Sequence, residues 1–267
     1  MEILSQKKLN QGQIKSAIFD FDGTLSTLRF GWEKVMEPMM IELIGGEKHQ
    51  NNSDLRKMII DYIDESTGIQ TVYQMRWLAE KVAEWNPGIS VQDEWWYKDE
   101  YNRRLMEMVS GRLKKLESGE VLPENFLMAG SKKFLQALYS RGIELCVASG
   151  TDHDDVVKEV HTLGLTDYFN SIMGAPARKA ACSKEAVIRM ILEERGYQGD
   201  ELLLVGDGKV EIALGAENGA YALGVASDEA VRHGINPVKR TRLVKAGADM
   251  IIGDFSDLDE LLQRLGI

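Results

Sequence analysis

Short apolar runs that end abruptly in polar residues recur along this chain. Ile14 to Phe19 leads into Asp20-Phe21-Asp22-Gly23-Thr24, Ile143 to Ala148 into Ser149-Gly150-Thr151, and Leu202 to Val205 into Gly206-Asp207-Gly208. Tyr221 to Val225 and Met250 to Ile252, the latter before Gly253-Asp254, repeat the pattern. Runs of this length predict buried strands with polar exits. Between them the spacing turns helical: Phe134, Leu135 and Leu138 before Gly142, Val156 to Leu163 before Gly164, and Val187, Ile188, Ile191 and Leu192 before Gly196. Each helix closes on a glycine, the usual stop. Strands alternating with single helices imply right-handed crossovers, and so an α/β fold built on a doubly wound parallel sheet.

The stretch from Leu28 to Pro123 breaks this alternation and reads as helices only. Leu55, Met58, Ile59, Tyr62 and Ile63 follow Ser53-Asp54 at helical spacing. Val72, Met75, Ala79 and Val82 precede Asn86-Pro87-Gly88, and Leu105, Met108, Val109, Leu113 and Leu116 close near Ser118-Gly119. A parallel crossover needs only about a dozen residues, so a helical block this long predicts an inserted domain. The expected division is a core of residues 1–27 and 126–267 with an all-helical insert over 28–125.

Composition narrows the function. With 267 residues, 44% hydrophobic and 28% charged, the chain is of the ordinary globular class. Its formal net charge of −10 repels nucleic acid and anionic membranes, so neither is expected as a partner. An anionic substrate would need a local positive centre, from a metal, a lysine or oriented amides. Cys146 and Cys182 have no metal-ligand or redox spacing, and Met1 to Gln13 carries no signal-peptide core. A reducing, cytoplasmic setting is expected.

Ligands of open parallel sheets bind beyond the carboxyl ends of the strands. Here those exits hold Asp20, Asp22, Ser149, Asp207 and Glu211. Alternate residues leaving a strand can present two carboxylates to one substrate, one as nucleophile and one as acid. Asp20, Asp207 and Glu211 crowded at one sheet edge would repel one another unless a hard divalent cation, Mg2+ foremost, neutralised them.

Asp20-Phe21-Asp22-Gly23-Thr24, then Ser149, then a lysine, then Gly206-Asp207-Gly208-Lys209-Val210-Glu211 resemble, in that order, the motifs of haloacid dehalogenase superfamily phosphatases. The placement of the insert resembles their helical type 1 cap, as in the phosphoglycolate phosphatase and beta-phosphoglucomutase group. The resemblance implies Asp20 as the nucleophile that forms an aspartyl-phosphate, and Asp22 as general acid and then base. An acid at the second position is kept by the superfamily's phosphatases and phosphomutases and is missing from its dehalogenases and phosphonatases. Thr24, Ser149, the Gly150 amide and Lys184 would bind the phosphoryl group, Ser149 at the positive start of the next helix. Lys179 is the alternative to Lys184, which is preferred because Ser183 resembles its N-cap. Mg2+ would be held by Asp20, the backbone carbonyl of Asp22, Asp207 and Glu211. Glu211 stands where the family usually has aspartate, which leaves direct and outer-shell roles open. The activity implied is Mg-dependent hydrolysis of phosphate monoesters of small metabolites, with sugar phosphates the family's most frequent substrates. A phosphomutase of the beta-phosphoglucomutase type and a non-catalytic binding protein are the alternatives.

Other features have plainer readings. Ser149 before glycine also suits an N-cap. Arg29 and Trp32, where the chain leaves the core, suit either substrate contact or a packed hinge. Trp95, Trp96, Tyr97 and Tyr101 read as the core of the insert. Lys239, Arg240, Arg242 and Lys245 read as a solvated face, and His153 and His161 have no evident partners.

Overall fold

The apolar runs pair into one parallel sheet whose centre is the strand that carries Asp20. The computed structural model describes residues 1–49, 51–180 and 183–267. Among these, seven strands run β1 (Glu2–Ile3), β2 (Ser16–Phe19), β3 (Glu144–Asp152), β4 (Ser171–Ala175), β5 (Leu202–Gly206), β6 (Tyr221–Val225) and β7 (Met250–Ile252). Their spatial order is β1-β7-β6-β5-β2-β3-β4. Every pair is parallel except β1 with β7. The chain moves from β2 outward to β4, then returns to the other side of β2 as β5. The order therefore reverses at β2, and the crevice for a ligand opens at the exits of β2, β3 and β5.

Side-chain alternation places helices on both faces. Phe19, Val147 and Val205 pack with Phe134 and Leu138 of α5 (Ser131–Ser140), Val156 and Val160 of α6 (His153–Thr162) and Leu261 of α10 (Leu258–Arg264). On the opposite face Ile18, Cys146 and Leu204 meet Val187 and Ile191 of α7 (Ser183–Glu194). Farther along that face, Ala222 and Ile251 meet Ile212 of α8 (Lys209–Glu217) and Leu243 of α9 (Pro237–Ala246). Burying both faces is what makes these strands read as continuous apolar runs.

Between β2 and β3 lie α1 (Glu33–His49), α2 (Ser53–Glu65), α3 (Thr71–Trp85) and α4 (Glu94–Glu117), with no strand among the described residues there. Asn52 and Asp93 cap α2 and α4 by accepting amide bonds from Leu55 (3.0 Å) and Trp96 (2.8 Å). The two segments that join this helical block to the sheet run side by side: the Thr27 amide donates to Phe126 O (2.8 Å) and the Met128 amide to Leu25 O (3.0 Å). Among the described residues no helix is long and apolar enough to cross a membrane. Cys146 is a buried free thiol, and Cys182 lies outside the described residues.

Two strands escape the pattern of apolar runs. β1 is two residues long in the polar N-terminal tail, and β4 is a half-buried edge strand rich in small residues. Ser149 also sits differently from expectation. β3 continues through a register shift between Ala148 and Asp152, so α6 starts four residues later at His153. Ser149 is therefore within the irregular end of the strand, and neither an N-cap nor a helix-start phosphate ligand.

Candidate active site

Asp20 leaves β2 with its amide bonded to Val205 O (2.8 Å), which anchors it between β3 and β5. It is buried, and Lys184 Nζ, from the first turn of α7, lies 3.2 Å from Asp20 Oδ1 and 2.7 Å from Glu211 Oε2. Lys179 is exposed, so the structure brings Lys184 to the nucleophile position. The side chain of Ser183 is outside the described part of the chain. Burial pushes the Asp20 carboxyl well up; Lys184 works against this, and Glu211, Asp207 and Asp22 add to it. An excess of negative charge around Asp20 is thus built into the fold.

Asp22, two residues on, accepts a bond from Thr151 Oγ1 (2.7 Å) through Oδ2, while its buried Oδ1 has no partner among the described residues. Burial raises its pKa, with Arg29 and the Thr151 hydroxyl pulling the other way. A carboxylic acid with one oxygen fixed and the other unclaimed beside a cavity is placed for proton transfer.

Asp207 and Glu211 come from the β5 exit and the first turn of α8. Among the described residues, Asp20, Asp207 and Glu211 form a buried group whose carboxylate oxygens lie within 4.8 Å of one another. Such hard oxygen donors suit a small divalent cation. Glu211 is also a helix cap: its Oε1 accepts the Gly208 amide at 2.6 Å. Burial pushes Asp207 up, but Lys239, with Arg242 and Lys184, outweighs it and holds the carboxyl below its ordinary value. Two glycines make these approaches possible. A Cβ at Gly206 would collide with the Glu211 side chain, and one at Gly23 (φ 73°) would collide with Asp207 Oδ2.

These groups face a cavity of about 110 Å³ between the strand exits and the helical block. Asp20, Asp22, Ser149, Gly150, Lys184 and Asp207 border it; Thr24 and Glu211 do not. Thr24 is buried and its hydroxyl donates toward Asp207 Oδ1 at 3.5 Å. From the helical side come Trp32, Gln74, Lys98, Tyr101 and Asn102, and the Gly68-Ile69 turn between α2 and α3. Lys98 is buried, pairs with Asp152 at the end of β3, and sits 5.4 Å from the Trp95 ring.

Several readings of the sequence change here. Arg29 borders the cavity, and its charge is bound to α6 through Glu159 (2.7 Å) and Asp155 (3.2 Å), so it is a cavity-wall residue tied to a helix of the sheet. Tyr97 and Tyr101 are core, whereas Trp96 is exposed. His153 has a partner, since its Nδ1 accepts the Gly174 amide at 3.4 Å. The basic cluster on α9 is no solvated face at its inner side. Lys239 is buried against Asp207 (2.6 Å) and Glu229 (2.7 Å), and Arg242 donates to the Asp207 carbonyl at 3.1 Å and to Asp64 of α2 at 3.0 Å. Charge density alone suggested solvent, and Asn236-Pro237 marks only where α9 begins, not which of its faces turns inward.

A doubly wound sheet with an acidic cluster at its switch point, roofed by inserted helices, defines an α/β enzyme core of the hydrolase kind. The chain belongs to the haloacid dehalogenase-like hydrolases, whose family model matches residues 14–219. Its fold is similar to a predicted phosphoglycolate phosphatase from Haemophilus somnus (18% identity, TM-score 0.62, covering 94% of this chain and 99% of that one). It is similar also to beta-phosphoglucomutase from Clostridium difficile (16%, 0.62, 95% and 97%). A third is a phosphonoacetaldehyde hydrolase-like protein from Oleispira antarctica (15%, 0.61, 99% and 97%). No curated protein matches the sequence significantly.

Proposed function

We propose that this protein is a Mg-dependent phosphatase that hydrolyses phosphate monoesters of small metabolites through an aspartyl-phosphate on Asp20. The observation that carries the reading is the pair of carboxyls, Asp20 buried and Asp22 half-buried, on one side of one cavity. Asp20 lies against Lys184, and Asp22 keeps one oxygen unclaimed. The core would be residues 1–27 and 126–267 and the cap residues 28–125, with the paired connectors near Thr27 and Phe126 as the hinge. The buried free thiol of Cys146 supports a reducing, cytoplasmic setting.

The donor set fits Mg2+. Asp20, the Asp22 backbone carbonyl and Asp207 would hold it, with Glu211 as a direct or outer-shell partner. When bound, the cation offsets the repulsion between the Asp20 carboxylate and an incoming phosphoryl dianion. Lys184 does the same from the other side, and Ser149 and the Gly150 amide orient the phosphoryl oxygens. Thr24 contributes through Asp207. Asp20 attacks phosphorus, the P–O bond to the leaving group breaks, and Asp22 delivers its proton to the departing alkoxide. Asp22, now ionised, takes a proton from water, which attacks the aspartyl-phosphate and releases inorganic phosphate. Trp32, Tyr101 and the Gly68-Ile69 turn exclude bulk solvent from this sequence of steps.

The equal fold likeness to a beta-phosphoglucomutase supports a second reading in which the phosphoryl group returns to the substrate. One experiment tests both. Hydrolysis of an aryl phosphate with Mg2+, lost with a chelator and lost in Asp20→Asn, supports the phosphatase. Isomer formation that requires a bisphosphate activator and frees no phosphate supports the mutase. Full activity of Asp20→Asn refutes both.

A further inference from the structure

Helix α9 holds Asp207 from two directions, and the firmer hold is Lys239. Its ammonium has three protons and three acceptors: Asp207 Oδ2 at 2.6 Å, Glu229 Oε1 at 2.7 Å and Ser227 Oγ at 3.0 Å. Ser227 in turn donates to the Gly23 carbonyl. The network therefore ties together the exits of β2, β5 and β6. Lys239 is buried, and every proton it carries is used within the protein, so it has no donor to offer a substrate. Three residues on, along the same face of α9, Arg242 fixes the Asp207 carbonyl. Side chain and main chain of one aspartate are thus set by one helix.

We propose that Lys239 is a positioning residue for the metal centre: by holding Oδ2 it locks the rotation of the Asp207 carboxylate, so that the carboxylate is presented to the cation in one orientation. The inference rests on the reading of Asp207 as a Mg2+ ligand. Two consequences of Lys239 oppose each other. Its positive charge, close to the Asp207 carboxylate, repels a cation and by itself weakens binding. Its hydrogen bond prepays the ordering of a carboxylate whose other side-chain contact is the long 3.5 Å bond from Thr24, and this strengthens binding. Removing Lys239 gives opposite signs for the two effects. A counter-ion role predicts tighter Mg2+ binding in its absence, and a positioning role predicts weaker binding.

The test is Mg2+ binding to the full chain by titration calorimetry, without substrate, for wild type, Lys239→Met, the double variant Lys239→Met/Glu229→Gln, and Asp207→Asn. The double variant leaves no unpaired buried carboxylate at Glu229, so it keeps the measurement available if Lys239→Met does not fold. Both Lys239 variants are expected to bind Mg2+ roughly 10–100-fold more weakly, the range typical of partners that orient a ligand. Unchanged or tighter binding in the double variant overturns the proposal and leaves Lys239 as the counter-ion of Glu229. Asp207→Asn separates this failure from failure of the metal site itself. If that variant binds Mg2+ as the wild type does, the assignment of Asp207 as ligand falls, and the role of Lys239 falls with it.

Discussion

Lys184 Nζ stands 3.2 Å from Asp20 Oδ1, and both side chains are more than nine-tenths buried. The same ammonium bonds Glu211 at 2.7 Å, so one cation joins the nucleophile to the acidic group of the β5 exit. Lys184→Met removes a fixed positive donor from the point where two anions must meet. Losing one such preorganised donor typically costs about 10²–10³-fold in kcat, and that loss is expected here. Steady-state phosphate release measures it. A raised KM with kcat unchanged would mean that Lys184 binds substrate without favouring the transition state.

Asp22 has its Oδ2 fixed by Thr151 and its Oδ1 unclaimed. Asp22→Ala should lower turnover by about 10²–10⁴-fold with alkyl phosphates, whose leaving oxygen needs a proton. With an aryl phosphate carrying a good leaving group the loss in the first step should shrink. Single-turnover rates for the two substrate classes check this; equal losses would remove Asp22 from the acid role.

Glu159 of α6 bears on stability through pH. Its side chain is 1% exposed, Arg29 holds Oε1, and Oε2 has no partner among the described residues. Burial, only partly offset by Arg29, raises its pKa from 4.5 to about 7. Between those two values the folded state keeps a proton that the unfolded state has released. Stability is therefore fully present below about pH 4.5 and falls as pH rises to about 7, by roughly 3 kcal/mol from this group alone. In Glu159→Gln the site no longer titrates. Denaturant unfolding at pH 5 and pH 8 should show a smaller pH-dependent loss in the variant than in the wild type; parallel losses would count against the shift.

The sheet was legible in the sequence because strands buried on both faces leave unbroken apolar runs, and the five runs form β2, β3, β5, β6 and β7. The separate helical block was legible for the opposite reason, since an amphipathic helix writes its period into the chain. β1 and β4 were not, because two residues at an edge and a half-exposed Ser-Ile-Met-Gly-Ala carry too little apolar signal. The strand-exit acids were visible as a motif. Lys239 and Glu229 were not, because a lysine that is buried by pairing looks in sequence like any other lysine on a basic helix. Arg29 was visible as a position, but its partners Glu159 and Asp155, about 130 residues away, were set only by the tertiary fold.

Asp207 and Glu211 share a turn but are held differently, and Mg2+ titrations should separate them. Asp207 is bound by Lys239 and Thr24 and lies on the cavity wall, whereas Glu211 is off the wall with one oxygen on the Gly208 amide and the other on Lys184. A glutamate whose two oxygens already have internal donors is better suited to orienting its neighbours than to supplying a ligand atom. Asp207→Ala should be nearly inactive at any accessible Mg2+ concentration. Glu211→Ala should need roughly 10–100-fold more Mg2+ and recover part of its rate at saturation. It should also lose about 0.5–2 kcal/mol of stability, because the Gly208 amide at the start of α8 loses its cap. Rate against Mg2+ concentration, with denaturant unfolding of both variants, checks the division. Superimposable titration curves would make both residues ligands of one kind, and an unchanged Glu211→Ala curve would confine Glu211 to capping the helix.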